Sequence, residues 1–138
     1  MILIDAGPLV ALVDKGQGPI HDKCVNALKQ ETGSLITTWP CMTEAMYLLH
    51  GLRGWKGQEA LCRYVKDSEL ILHVPESNEW IRVFDLMEQY RDTPMDFADA
   101  SLVALAESRK VHRIMTLDRD FFVYRISKTK SFDVMLIK

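Results

Sequence analysis

The sequence predicts an α/β fold, a three-layer α/β/α sandwich with a central parallel sheet of about five strands. Three observations lead there. Short apolar runs of strand length recur along the chain, longer helical stretches separate them, and no repeat, low-complexity tract or linker interrupts the pattern.

The elements follow in order. Met1 to Ile4 is an apolar run ended by Asp5, and Gly7-Pro8 suits the turn into a helix. Asp14 to Pro19, with Gly16 and Gly18, reads as a turn. Its Gly-x-Gly lacks a third glycine and does not follow the strand directly, which argues against a dinucleotide-binding loop. Residues 19–31 form an amphipathic helix ending near Gly33, and Leu35-Ile36-Thr37 is the second strand. Pro40 opens a helix reaching about Arg53, and another runs from Trp55 to Lys66. The third strand is Leu70 to Val74, closed by Pro75. Ser77 is expected to cap a helix running to about Tyr90, because its hydroxyl can accept an unpaired amide of the first turn. After Asp92-Thr93-Pro94, a helix spans Phe97 to Lys110. Arg113 to Thr116 and Val134 to Ile137 are the last two strands.

The chain has 138 residues, 48% hydrophobic and 26% charged. A chain of that size buries about two-thirds of its unfolded surface without cross-links, so one domain over residues 1–138 is expected and a disulfide miniprotein is excluded. The apolar runs are far shorter than the ~20 residues of a membrane span, and Met1-Ile2-Leu3-Ile4-Asp5 shows no secretory signal. A cytoplasmic location with no membrane partner is expected. Cys24, Cys41 and Cys62 lack metal or disulfide spacing and read as reduced, partly buried thiols. The histidines His21, His50, His73 and His112 stand alone and read as structural or surface residues. Trp39, Trp55 and Trp80 are assigned mainly to the core, with partner contact as the alternative.

Charge is distributed unevenly. The total is −2, yet residues 1–105 hold nine basic and fifteen acidic residues, and the remaining 33 hold eight basic and four acidic. This excludes a strongly basic nucleic-acid binder but not a local phosphate-binding patch drawn from Arg109, Lys110, Arg113, Arg119, Arg125, Lys128 and Lys130.

In open parallel sheets, function gathers beyond the carboxyl ends of the strands where strand order reverses. Both strand ends there are acidic. Asp5 ends the first strand, and Thr116-Leu117-Asp118-Arg119-Asp120 follows the fourth. If those strands are neighbours, Asp5 and Asp118 converge. Asp96 and Asp99 share one face of the following helix start, and Glu44 lies early in the helix after the second strand. Each has a structural reading as a dipole partner, turn residue or solvated surface. Gathered at one edge, they would repel unless protonated or neutralised by a cation. An all-oxygen set without a His or Cys partner favours Mg²⁺ or Mn²⁺ over zinc. Such ions can activate water and stabilise the leaving oxygen of a phosphodiester.

The segments ILIDAGPLVAL, TEAMYLL, FADASLVALAE with an upstream tyrosine and proline, and IMTLDRDFF, spread over Met1 to Phe122, resemble the PIN-domain ribonucleases, the fold of VapC-type toxins. The resemblance implies that Asp5, Asp99 and Asp118 bind metal, that Glu44 completes the catalytic set or positions water, and that Asp96, Thr116 and Asp120 are auxiliaries. It also departs in one place. Ala6 stands where many members carry Ser or Thr, which removes one hydroxyl beside the first acid.

The implied activity is a Mg²⁺- or Mn²⁺-dependent endoribonuclease acting on RNA, with Arg119 and Arg125 as RNA contacts. The implied partners are an antitoxin inserted over the acidic groove and a second copy of the chain in a homodimer. A catalytically silent RNA- or protein-binding module and a housekeeping RNA-processing nuclease are the alternatives. A phospho-accepting receiver domain is disfavoured, because His73-Val74-Pro75 stands where its acceptor Asp belongs.

Overall fold

The structure is a computed structural model and describes residues 1–137. The chain runs β1 (Ile2–Ile4), α1 (Ala6–Val13), α2 (Pro19–Lys29), β2 (Leu35–Thr37), α3 (Trp39–Arg53), α4 (Trp55–Lys66), β3 (Leu70–Leu72) and α5 (Ser77–Gln89). It continues through α6 (Phe97–Arg109), β4 (Arg113–Thr116), β5 (Arg125–Ile126), β6 (Lys130–Ser131) and β7 (Asp133–Leu136). Five strands form one parallel sheet in the order β3-β2-β1-β4-β7, with helices on both faces, so the expected α/β/α sandwich is what the chain adopts.

The strands are apolar throughout because both of their faces are covered. Successive strand side chains point to opposite sides. Leu3, Ile36 and Ile114 therefore join one core with Val83, Leu86 and Leu102 of α5 and α6, whereas Ile2, Ile4, Leu35 and Met115 join a second core with residues of α1 to α4. Each fully buried Leu or Ile contributes about 1.5–3 kcal/mol.

Helix starts are set by local chemistry. Thr38 caps α3 by accepting the Cys41 N–H at 3.3 Å, with Pro40 in the first turn. The expected Ser77 cap is corrected: Glu76 is the capping residue and Ser77 already lies in α5. Glu79, three residues on, accepts the Glu76 N–H through Oε1 at 3.2 Å, which sets the helix start one residue earlier. The third strand ends at Leu72 rather than Val74, because β2 ends at Thr37 and its last carbonyl takes the His73 N–H at 3.0 Å.

Two features depart further from the sequence reading. Trp39, Trp55 and Trp80 are not core residues; they are 50%, 62% and 37% exposed. Trp39 and Trp55 open α3 and α4, ahead of the stripe each helix buries, and Trp80 stacks on Phe97 with ring centroids 6.0 Å apart. The β5–β6 hairpin was unsignalled, because Ser127 and Lys128 take positive φ without the glycine or asparagine that marks such turns. Among the described residues, no helix is long and apolar enough to cross a membrane.

Candidate active site

β1 lies beside β4, with Leu3 opposite Ile114 and Ile4 opposite Met115, and the Asp5 N–H donates to the Met115 carbonyl at 3.1 Å. From β1 the chain builds outward through β2 and β3, then returns to β1's other side with β4. The order therefore reverses between β1 and β4, and Asp5 and Thr116 stand at that point.

Short hydrogen bonds hold the acids in place. Asp5 accepts the Ala6 N–H through Oδ1 at 2.8 Å and the Thr116 hydroxyl through Oδ2 at 3.0 Å. Thr116, fully buried, accepts the Asp118 N–H at 2.9 Å, and Asp118 Oδ1 accepts the Asp120 N–H at 2.8 Å. One hydroxyl thus ties two strand ends together. At the start of α6, Asp96 and Asp99 cap each other: Asp96 Oδ1 accepts the Asp99 N–H at 2.8 Å, and Asp99 Oδ2 accepts the Asp96 N–H at 3.2 Å. Asp96 and Asp99 therefore do serve the helix start, while also facing the other acids.

The electrostatics record that convergence. Burial, and then the charges of Asp96, Asp5 and Asp118, push the Asp99 carboxyl up to about 8. Burial raises Asp5 as well, opposed by the Ala6 and Thr116 hydrogen bonds and reinforced by Asp118 and Asp96. Glu44, on exposed α3 surface, is raised by desolvation and by Asp96 and Asp5; Asp120 is raised by burial and Asp118. Asp5, Glu44, Asp96, Asp99 and Asp118 therefore act on one another at one edge, and Asp120 adjoins through Asp118.

The donor set is chemically suited to a hard divalent cation, since it consists of carboxylate oxygens whose mutual repulsion a cation relieves. It is not a closed cage. Among the described residues, no three His, Cys, Asp or Glu side chains stand close enough together to hold a metal ion as they are.

The PIN domain family model matches residues 2–126. The chain belongs to the PIN domain family. Among solved structures, this PIN domain is similar to Mycobacterium tuberculosis VapC20, described as a sarcin-ricin loop cleaving toxin, with a TM-score of 0.81 and 15% identity over 97% of this chain and 98% of that one. It is also similar to a toxin–antitoxin complex from Klebsiella pneumoniae, with a TM-score of 0.65 and 17% identity over 88% of this chain and 90% of the other. No curated protein matches the sequence.

The PIN fold scatters most of the basic C-terminal residues away from the acids. Arg113 begins β4, about 10 Å of strand from Thr116, and pairs with Glu31 at 2.5 Å and Asp133 at 2.7 Å. Arg109 reaches Met1 at the same far edge. The hairpin that carries Lys128 and Lys130 is anchored by the Ser127 N–H on Glu107 at 2.7 Å, about 12 Å along α6 from Asp99. Arg125 donates through Nη1 to the carbonyls of Phe122, Val123 and Tyr124. Arg119 is exposed and sits directly beside Asp118.

Three features of this PIN site escaped the sequence reading. Tyr124 is fully buried, donates to the Pro94 carbonyl and lies 3.4 Å from Asp99 Oδ2. Cys41, also fully buried, holds its Sγ 3.9 Å from Asp5 Oδ1. Glu44 and Asp96 share an open groove of about 620 Å³ with Trp39, Tyr47, Trp80 and Phe97. Only the aromatics carried a signal, as apolar residues at helix starts, and that signal also fits core.

Proposed function

We propose that residues 1–138 form one PIN nuclease domain acting as a Mg²⁺- or Mn²⁺-dependent endoribonuclease in the cytoplasm, the toxin of a VapBC-type pair. The observation that carries the reading is the convergence of Asp5, Asp99 and Asp118, with Glu44 and Asp96, at the β1–β4 reversal point. The similarity to VapC20, titled a sarcin-ricin loop cleaving toxin, supports RNA as the substrate class.

In this reading Asp5, Asp99 and Asp118 hold the ion and Glu44 orients the attacking water. A bound Mg²⁺ or Mn²⁺ supplies Lewis-acid polarisation of the phosphodiester and a lower pKa for bound water. Thr116 keeps Asp5 and the Asp118 backbone in register, and Asp96 holds the backbone beneath Asp99. Asp120 braces Asp118 through its own N–H. Arg119 is assigned the phosphate contact nearest the acids. Arg125 is assigned a supporting one through the loop whose carbonyls it caps.

The groove with Glu44 and Asp96 is acidic and aromatic, so an antitoxin segment with basic and apolar side chains is the complementary inhibitor. The toxin–antitoxin complex among the similar structures supports that partner, and a homodimer is proposed alongside it.

Asp99→Asn tests the assignment. The variant should fold and lose most metal-dependent RNA cleavage. Cleavage by purified Asp99→Asn at the parent's rate, at matched Mg²⁺, refutes the site and favours a silent module.

A further inference from the structure

Tyr124 is the largest fully buried side chain among the described residues, and its polar end reaches the acidic site. Its ring is held edge-on by Tyr90, with centroids 5.2 Å apart, and by Phe121, with centroids 5.1 Å apart. Packing of that kind fixes where the hydroxyl points.

The residue joins two segments that the chain supplies separately. Its hydroxyl donates to the Pro94 carbonyl, in the connection that leads into α6, and lies 3.4 Å from Asp99 Oδ2. Its backbone belongs to the loop after β4, where the Tyr124 N–H donates to the Asp120 carbonyl at 3.1 Å. Tyr124 therefore connects the two places from which Asp99 and Asp118 come.

The two carboxyl oxygens of Asp99 are placed unequally. Oδ2 accepts the Asp96 N–H at 3.2 Å and has the Tyr124 hydroxyl beside it, whereas Oδ1 accepts no hydrogen bond among the described residues. The buried side-chain nitrogen or oxygen without a partner there is His73 Nδ1, so Asp99 Oδ1, also unpartnered, is not sealed from solvent. A bond of 3.2 Å is at the long end of the range, and the χ2 torsion of an aspartate is broad, so the Asp96 N–H alone would let the carboxyl turn. A phenol oxygen pinned beside Oδ2 limits that turn.

We infer that Tyr124 is a positioning residue for Asp99: its hydroxyl, tied to Pro94, keeps Oδ2 turned to the α6 start and leaves Oδ1 as the oxygen offered to a cation. This rests on the reading of Asp99 as a metal-binding carboxylate and adds to it a residue that holds the ligand without binding the ion. A hydroxyl that served the Pro94 carbonyl alone would matter to stability and not to the ion.

The test compares Mn²⁺ binding, by calorimetry, to the parent, Tyr124→Phe and Tyr90→Phe. Phenylalanine keeps each ring and its edge contacts, and thermal melting in chelator checks that both variants are folded. Tyr90→Phe is the control, since its hydroxyl accepts the Arg125 N–H at 3.1 Å and makes no hydrogen bond to Asp99. Tyr124→Phe should weaken Mn²⁺ binding by about tenfold or more, as loss of a group that orients a metal ligand does, and Tyr90→Phe by about twofold or less. The Mn²⁺ concentration that half-saturates RNA cleavage should rise by the same factor in Tyr124→Phe. An affinity of Tyr124→Phe within about twofold of the parent's overturns the inference. So does an equal loss in both variants, since loosened packing then explains it. Mn²⁺ binding that Tyr124→Phe alone weakens, in a parent that cleaves no RNA, upholds the positioning role and overturns the nuclease reading. A parent that binds no Mn²⁺ overturns Asp99 as a metal ligand, and the inference with it.

Discussion

Thr116 donates its hydroxyl to Asp5 at 3.0 Å across a separation of 111 residues, and accepts the N–H of Asp118 two residues along. A single buried oxygen thus sets the spacing between two acids that the chain supplies from opposite ends. Asn or Gln there would carry the wrong length, and an aliphatic residue would leave the Asp118 N–H unpaired. The adjacency of β1 and β4 is what makes the contact possible.

Thr116→Val should therefore lower stability by about 1–3 kcal/mol. It should also slow RNA cleavage by about 10–100-fold, the usual cost of losing a group that orients a metal-binding side chain. Thr116→Ser should recover most of both. Thermal melting and single-turnover cleavage check this, and a fully active Thr116→Val would show that the bridge does not matter.

Stability without metal should fall as pH rises. Asp99 binds its proton more tightly in the folded chain, with a carboxyl at about 8 against an ordinary 3.8. Its contribution is complete at acidic pH and is lost as pH climbs through about 8. In chelator, the parent's melting temperature should drop by several degrees between about pH 5 and about pH 9, and Asp99→Asn should flatten that drop. Added Mn²⁺ should restore the parent at high pH and not the variant. Equal pH slopes for the two proteins would contradict the assignment.

The thiols should differ in reactivity. Burial pushes the Cys24 thiol up to about 11, and burial together with the Asp5 charge raises Cys41 further. Cys62 is partly exposed. Brief treatment of the native protein with iodoacetamide at neutral pH should label Cys62 and spare the other two, as read by peptide mass spectrometry. Labelling of Cys41 at a similar rate would mean that the Asp5 edge opens in solution.

Glu79 organises three donors, two from the β3–α5 connection and one from α6, so Glu79→Ala should cost about 3 kcal/mol by leaving them unpaired, whereas Ser108→Ala should cost about 1. Urea denaturation with an unchanged slope measures both. Similar small losses would mean that water replaces the carboxylate freely.

Among the arginines, position decides the outcome. Arg119→Ala should weaken RNA binding and reduce the slope of log affinity against log salt by about 0.7, the contribution of one single-strand phosphate contact. Arg113→Ala should leave both unchanged, because its guanidinium is committed to Glu31 and Asp133 at the far edge. A loss on Arg113→Ala that matches Arg119→Ala would place RNA on the wrong edge of the sheet.

The sheet was legible because its signals are local. A wholly apolar run of strand length, such as Leu35-Ile36-Thr37, between helices leaves few alternatives to a strand covered on both faces, and the acids Asp5, Glu44, Asp99 and Asp118 fall at helix and strand ends that the same pattern marks. The β5–β6 hairpin was not legible, because its positive-φ positions carry Ser and Lys. The tryptophans misled for a similar reason: apolar character does not say which side of a helix start is covered. Likewise, seven cations clustered in sequence need not cluster in space. A strand of four residues places Arg113 and Thr116 at opposite edges of the sheet.

The sequence by itself determined the parallel α/β sandwich and the acids at its strand and helix ends, since periodicity and strand-end chemistry act over a few residues. Only the tertiary structure decided that β1 and β4 are neighbours, that Thr116 serves both Asp5 and Asp118, and that buried His73 shares a hydrogen bond with Glu79. Apart from the Thr116–Asp118 bond, those depend on contacts between residues 6 to 111 positions apart, whose geometry is set when both faces of the sheet are packed.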